Sequence, residues 1–179
     1  MTEYTLKHSD KARSMRLSVL ADGAVVVTVP KYFGQSSIES IDRFIAKYSE
    51  WIDTKVQKMK GRTVIRVPRS DIARLKREAL AYAQARCTHY AARYGLTYKK
   101  ISIRAQKTRW GSCSKTGNLS FNYKIMALPE AVREAIIVHE ICHLGVFDHS
   151  KKFWDLVSRE VPDHKALRAQ LRKTAFIFY

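Results

Sequence analysis

The chain has 179 residues and carries 33 Lys and Arg against 16 Asp and Glu, a formal net charge of +17. Its 46% hydrophobic content is that of a globular protein; no apolar run approaches the ~18 residues of a membrane span, and Met1-Thr2-Glu3-Tyr4 opens no leader pattern, so a cytoplasmic protein is expected. Three widely separated cysteines, Cys87, Cys113 and Cys142, argue against a disulfide framework.

The N-terminal segment reads as a β-hairpin. Met15-Arg16-Leu17-Ser18-Val19 alternates apolar and polar residues, Ala24-Val25-Val26-Val27-Thr28-Val29 is β-branched, and Asp22-Gly23 between them is a turn pair. Pro30 closes the second strand. Ser36 with Glu39 forms a capping box for a single helix, along which Ile38, Ile41, Phe44, Ile45, Tyr48, Trp51, Ile52, Val56 and Met59 recur at helical spacing. This is a packing helix without chemistry. Lys60-Gly61 breaks it, which separates an N-terminal hairpin and helix, residues 1–60, from a core of residues 61–179, unless the two form one continuous domain.

Residues 62–67 form a short extended segment before Pro68. Ser70 or Asp71 then caps a long helix to about Tyr94, with Gly95 placed to end it. Its inner stripe is Ile72, Leu75, Ala79, Tyr82, Ala83, Tyr90 and Tyr94, with the tyrosines in core and rim. From Arg62 to Lys115 the chain holds fourteen Lys or Arg against only Asp71 and Glu78. Such an excess either binds a polyanion, nucleic acid or nucleotide phosphate, or keeps the surface solvated.

Ile101-Ser102-Ile103-Arg104-Ala105 alternates again, Gly117-Asn118 is a turn, and Leu119-Ser120-Phe121-Asn122-Tyr123 alternates once more, so a β-meander or hairpin is expected. Pro129 suits the first turn of the following helix, which should run to about Gly145 and carries His139-Glu140-Ile141-Cys142-His143. Residues four apart share a helix face, so His139 and His143 can direct ring nitrogens at one ion. Zn–N bonds of about 2.0–2.1 Å fit that spacing, and three protein ligands leave a fourth position for water. Glu140 lies about 100° round the helix from His139, beside that water as a general base. At this composition the pattern arises by chance only ~0.009 times per chain.

His149 is the expected third ligand, because Gly145 permits a turn and Ser150 starts a new helix. Glu160 and Asp163 are its rivals, and Asp148 is adjacent. The new helix runs from residue 151 to about 160 with Phe153, Trp154 and Val157 on its buried side. Pro162 interrupts it, and a basic segment, residues 164–173, leads to the apolar tail Ala175-Phe176-Ile177-Phe178-Tyr179. His164 is expected on the surface. Cys142 reads as a small buried residue, not as a soft ligand.

Arg109-Trp110-Gly111-Ser112-Cys113-Ser114, then Leu119-Ser120-Phe121-Asn122, then His139-Glu140-Ile141-Cys142-His143-Leu144, then His149-Ser150 with Phe153-Trp154 and Pro162-Asp163, together resemble the YgjP-like metal-dependent hydrolases. These are similar to the wider SprT-like zinc peptidases. Arg13-Ser14-Met15-Arg16-Leu17 and the helix ending near Trp51-Ile52 fit the same family, so the likeness covers nearly the whole chain. It implies an α+β fold with a zincin-like core, in which a small β-sheet and a supporting helix accompany an active-site helix. It implies one zinc per chain on His139, His143 and His149, with Glu140 as catalytic acid and base. It also implies that the strand around Trp110-Gly111-Ser112 runs beside the cleft, where an extended peptide can pair with the sheet edge. Trp110, Gly111, Ser112 and Asn122 are then the expected substrate contacts. The expected function is a zinc metallopeptidase acting on polypeptide. A nucleotide pyrophosphatase, or a nucleic-acid-binding zinc module, is the alternative; an intact Glu140 weighs against the module, since a purely structural site needs no base.

Overall fold

The computed structural model describes residues 2–32 and 38–179. Ser36, and with it the expected capping box, lies outside the described residues. The chain divides into two compact units, Met1–Val64 with Thr174–Ile177, and Ile65–Lys173 with Phe178–Tyr179.

The first unit holds strands β1 (Tyr4–Ser9), β2 (Arg16–Val19) and β3 (Val25–Pro30) in the order β1-β3-β2. The expected hairpin is β2 with β3, antiparallel, with Gly23 at φ 88° in its turn. That left-handed conformation is open to glycine at little cost. β1, unexpected from sequence, pairs parallel with β3. Four of its six residues are exposed, so it carries no apolar alternation of its own. Inward-facing Val25, Val27 and Val29 of β3 pack with Ile41 and Ile45 of α1 (Ile38–Lys47) and Ile52 of α2 (Ser49–Met59). The single expected helix is thus two. Tyr48 donates its N–H to Ile45 O at 3.1 Å, a tighter i→i+3 bond, and Ser49 and Glu50 begin a fresh first turn. The break takes Trp51 out of the inner stripe. It is 42% exposed, with the Lys55 ammonium 5.5 Å from its ring centre.

β4 (Thr63–Val67) and β8 (Thr174–Phe178) pair in a two-stranded sheet. The apolar tail is therefore a strand.

The second unit is built on α3 (Ile72–Tyr94), whose Leu75, Ala79, Ala83, Cys87, Tyr90 and Ala91 are buried. Gly95 ends it at φ 65°. Asp71 precedes it but does not cap it, because its carboxylate accepts from Arg74 at 2.7 Å. Strands β5 (Lys100–Arg104), β6 (Gly111–Cys113) and β7 (Asn118–Asn122) lie in the order β5-β7-β6. β6 and β7 form an antiparallel hairpin, but β5 runs parallel to β7, so the unit is not a simple meander. β7 takes the centre because its Leu119 and Phe121 are the residues that burial favours most; both are 0% exposed. β6 is left at the edge. Beside the sheet lies α4 (Glu130–Cys142), which packs against α3, β6, α5 (Lys151–Ser158) and α6 (His164–Lys173). Glu134 of α4 accepts hydrogen bonds from the hydroxyls of Tyr82 and Tyr90 and from Arg86, which fixes α4 against α3 with its charge matched. Among the described residues no helix is long and apolar enough to cross a membrane.

Candidate active site

α4 ends at Cys142, three residues before the expected Gly145, yet His143 keeps helical dihedrals (φ −66°, ψ −18°), so His139 and His143 still lie one turn apart. Gly145 does not adopt a positive φ, so its freedom does not make the turn that follows; a Cβ there would meet Leu96 at 3.4 Å. The chain is shaped by side-chain bonds instead. His143 Nδ1–H donates to Val146 O at 3.0 Å, and Asp148 Oδ1 accepts from Ser150 N–H at 3.1 Å where α5 starts. A carbonyl only accepts, so the His143 proton sits on Nδ1 and Nε2 presents a lone pair.

His139 Nε2 lies 3.2 Å from His143 Nε2 and 3.2 Å from His149 Nε2. Phe153, 0% exposed, backs all three rings at centroid distances of 4.9, 4.4 and 4.9 Å. Trp154 stacks on His149 at 5.5 Å, and its ring also stacks on His164 at 5.0 Å. His164 is consequently buried at 5% exposure, not a surface residue. Burial first, and then the neighbouring His143 and His149, holds His139 down to about 3, so its ring is neutral. Two tetrahedral ligands of zinc at ordinary Zn–N length stand about 3.3 Å apart. Three imidazole nitrogens at the observed spacing, one with its tautomer fixed by a carbonyl, form a donor set that fits such a cation. His149 joins this cluster; Glu160 and Asp163 do not. Glu160 is instead paired with Arg93 at 2.7 Å.

Glu140 is 7% exposed, and burial pushes its carboxyl up to about 8 against the opposing field of Arg109. It rests on Gly111 of β6: a Cβ on that glycine would lie 2.6 Å from Glu140 Cγ and Oε1. Trp110 and Gly111 line a cleft of about 270 Å³ together with Arg109, His139, Glu140 and His149. Ser112 and Asn122, also expected at the substrate, are not in its lining. Ser112 pairs with Ser120, one register step from Gly111 and so on the other sheet face. Asn122 is 2% exposed and spends its amide on the backbone, donating to Gln106 O and Arg109 O and accepting from Lys124 N–H. It shapes the loop that brings Arg109 and Trp110 to the cleft. Val132, Ala135 and Ile136 of α4 and Leu167, Arg168 and Leu171 of α6 complete the lining. The α6 residues were not among those expected from the sequence, although two leucines four apart in a basic helix were a usable sign of a buried face.

The thiol of Cys142 is fully buried and pushed up to about 11, which agrees with its reading as a packing residue. Burial likewise raises Cys113 to about 11 and Cys87 to about 12. In the basic stretch, Arg74, Arg86 and Arg93 are each paired with carboxylates of the second unit, so part of its charge is spent internally and no observation favours a nucleic-acid surface.

Two outcomes are expected from this geometry. Gly111→Ala should displace the Glu140 carboxylate while leaving the histidines in place; steady-state kinetics and metal analysis together should show roughly a tenfold to hundredfold loss of turnover with metal content unchanged. The second concerns the protein freed of metal by a chelator. Glu140 has a folded value near 8 against an ordinary 4.5, so the folded state holds its proton more tightly than the unfolded state. That contribution is complete below the ordinary value and is lost as pH rises through the folded one. The half-buried His139 and His143, held below the ordinary imidazole value, act oppositely: their contribution grows as pH rises through about 6.5 and is nearly complete about one unit above it. Beyond that point Tm of the metal-free protein should fall as pH rises through about 8, and Glu140→Gln should remove that fall.

Residues 66–174 match the YgjP-like family, described as a metallopeptidase domain. No curated protein matches. Among solved structures, the crystal structure of the metallopeptidase zymogen of Pyrococcus abyssi abylysin is similar over 50% of this chain and 90% of its own, at 23% identity and a TM-score of 0.46.

Proposed function

The chain belongs to the YgjP-like family of metallopeptidase domains, and on that premise we propose that residues 61–179 form a zincin-type core that hydrolyses polypeptide with one zinc ion. The observation that carries this reading is the convergence of three imidazole Nε2 atoms beside a buried glutamate, in a cleft flanked by an edge strand. His139, His143 and His149 would hold the ion. When bound, zinc polarises a carbonyl and acidifies water. Glu140 takes the proton of the attacking water and passes it to the leaving amide nitrogen. Its seat on Gly111 confines the carboxylate to one side of the cleft. The free edge of β6 offers backbone groups to an extended chain, which aligns a peptide bond along the cleft without reading its side chains.

Peptide is favoured over nucleotide by what the nearby acidic residues are bonded to. Nucleoside triphosphate hydrolysis recruits Mg²⁺ through carboxylates, yet Glu134 is committed to Tyr82, Tyr90 and Arg86, and Asp148 to Ser150. The test is a parallel panel of unfolded polypeptides and nucleoside triphosphates, offered to the zinc-loaded protein with and without added Mg²⁺. Peptide bond cleavage that stops with a chelator and returns with zinc is expected. Pyrophosphate release with no peptide cleavage would overturn the reading.

A further inference from the structure

The cleft lining joins Glu140 and Gly111 of β6 with an apolar set, Val132 and Ile136 of α4 and Leu167 and Leu171 of α6, within the same cavity as His139. A concave apolar wall beside reacting groups is suited to hold one large side chain of a ligand. The cations of the lining, Arg109 and Arg168, are both exposed. Among the described residues neither guanidinium has an ion-pair partner: Arg168 lies over the Trp154 ring at 4.4 Å, and the only carboxylate sharing the cleft with them is the buried Glu140. This contrasts with Arg74, Arg86 and Arg93, each of which is ion-paired within the unit. Two cations without an ion-pair partner, in a cleft with apolar walls, attract an anion more strongly than the same charges on an open surface.

Resting on the peptidase reading, we propose that this cleft selects polypeptide in which a large apolar side chain is accompanied by a carboxylate, the side chain lying against Leu167 and Leu171 and the carboxylate meeting Arg168. Arg168 is the residue suited to this because it projects from the helix that carries both leucines, one residue after the first and three before the second. Its guanidinium plane is already oriented by Trp154, so little freedom is lost on pairing. The carboxylate can be the C-terminus of the substrate or an Asp or Glu side chain next to the apolar residue; the chemistry at Arg168 is the same.

The experiment reads binding, not turnover. Full-length Glu140→Gln protein loaded with zinc is titrated with fluorescent hexapeptides: one with a C-terminal Leu and free carboxylate, its amide, the amide with Glu beside Leu, and the free acid with Ala in place of Leu. A charge-assisted hydrogen bond predicts about tenfold tighter binding of a carboxylate form over the plain amide, and which form gains identifies the source. Leu should exceed Ala by about tenfold or more. In Arg168→Ala the carboxylate-to-amide ratio should fall to about one, and in Leu171→Ala the Leu-to-Ala ratio should shrink. Ratios are insensitive to a general loss of folded protein. Equal binding of acid and amide, a ratio that persists in Arg168→Ala, or displacement of every peptide by ATP at lower concentration would overturn the proposal. Should the ratios hold while wild-type protein cuts none of these peptides, the peptidase reading fails and the ligand preference stands.

Discussion

Glu140→Gln should retain roughly one zinc per chain and lose about a thousandfold in peptide hydrolysis. The carboxamide has the same outline as the carboxylate, so it keeps the seat on Gly111, and the Nε2 cluster of His139, His143 and His149 does not include it. What disappears is a group able to accept a proton. A buried amide also carries no charge to be expelled from an apolar site, so the variant should fold at least as well as the parent when metal is absent. Elemental analysis beside steady-state kinetics separates the two effects. Loss of zinc together with activity would remove Glu140 from its assigned role, and so would full activity with zinc retained.

His149→Ala should weaken zinc binding at least about a hundredfold, whereas Glu160→Ala and Asp163→Ala should leave it near the parental value. His149 is exposed and sits on a loop, but its ring is held by stacking on Trp154 and by the edge of Phe153, so its Nε2 stays 3.2 Å from His139 Nε2. Removing it leaves two nitrogens one turn apart and an ion with half its tetrahedral shell supplied by solvent. Glu160 is occupied by Arg93, and its removal should cost local stability without touching the metal. Competition against a chromophoric chelator measures all three variants on one scale. A site that survives His149→Ala and collapses in Glu160→Ala would reassign the third ligand.

The parts of the molecule that were legible beforehand are those where local chemistry and tertiary need coincide. The β2–β3 hairpin follows from Asp22-Gly23, the end of α3 from Gly95, and the histidine pair from helical spacing alone. β1 was invisible because it is held by pairing with β3 and carries no apolar pattern of its own. The split at Tyr48 was invisible because the apolar stripe runs on at nearly helical phase across it. The order β5-β7-β6 depends on which strand is most apolar in three dimensions, a comparison that chain order conceals. In the site, residue types could be chosen but side-chain direction could not. Gly111 reached the cleft and Ser112, its neighbour, did not, because successive strand residues face opposite ways. Asn122 turns its amide to the backbone of Gln106 and Arg109, a direction that residue type alone does not give. Leu167 and Leu171 were hidden inside a segment dominated by charge.

The burial of the three cysteines bears on how the protein tolerates oxidants. Peroxide and alkylating reagents attack thiolate, and a group whose protonation holds to about 11, as at Cys142 and Cys113, presents only about one thiolate in ten thousand at neutral pH. Cys142 and Cys87 are, in addition, closed to solvent. Sulfenic acid formation and mixed disulfides are thereby suppressed at positions flanking the histidine cluster, and no reactive sulfur competes with its nitrogens. Iodoacetamide labelling of the folded chain should accordingly be slow, start at half-buried Cys113, and reach the other two only after unfolding.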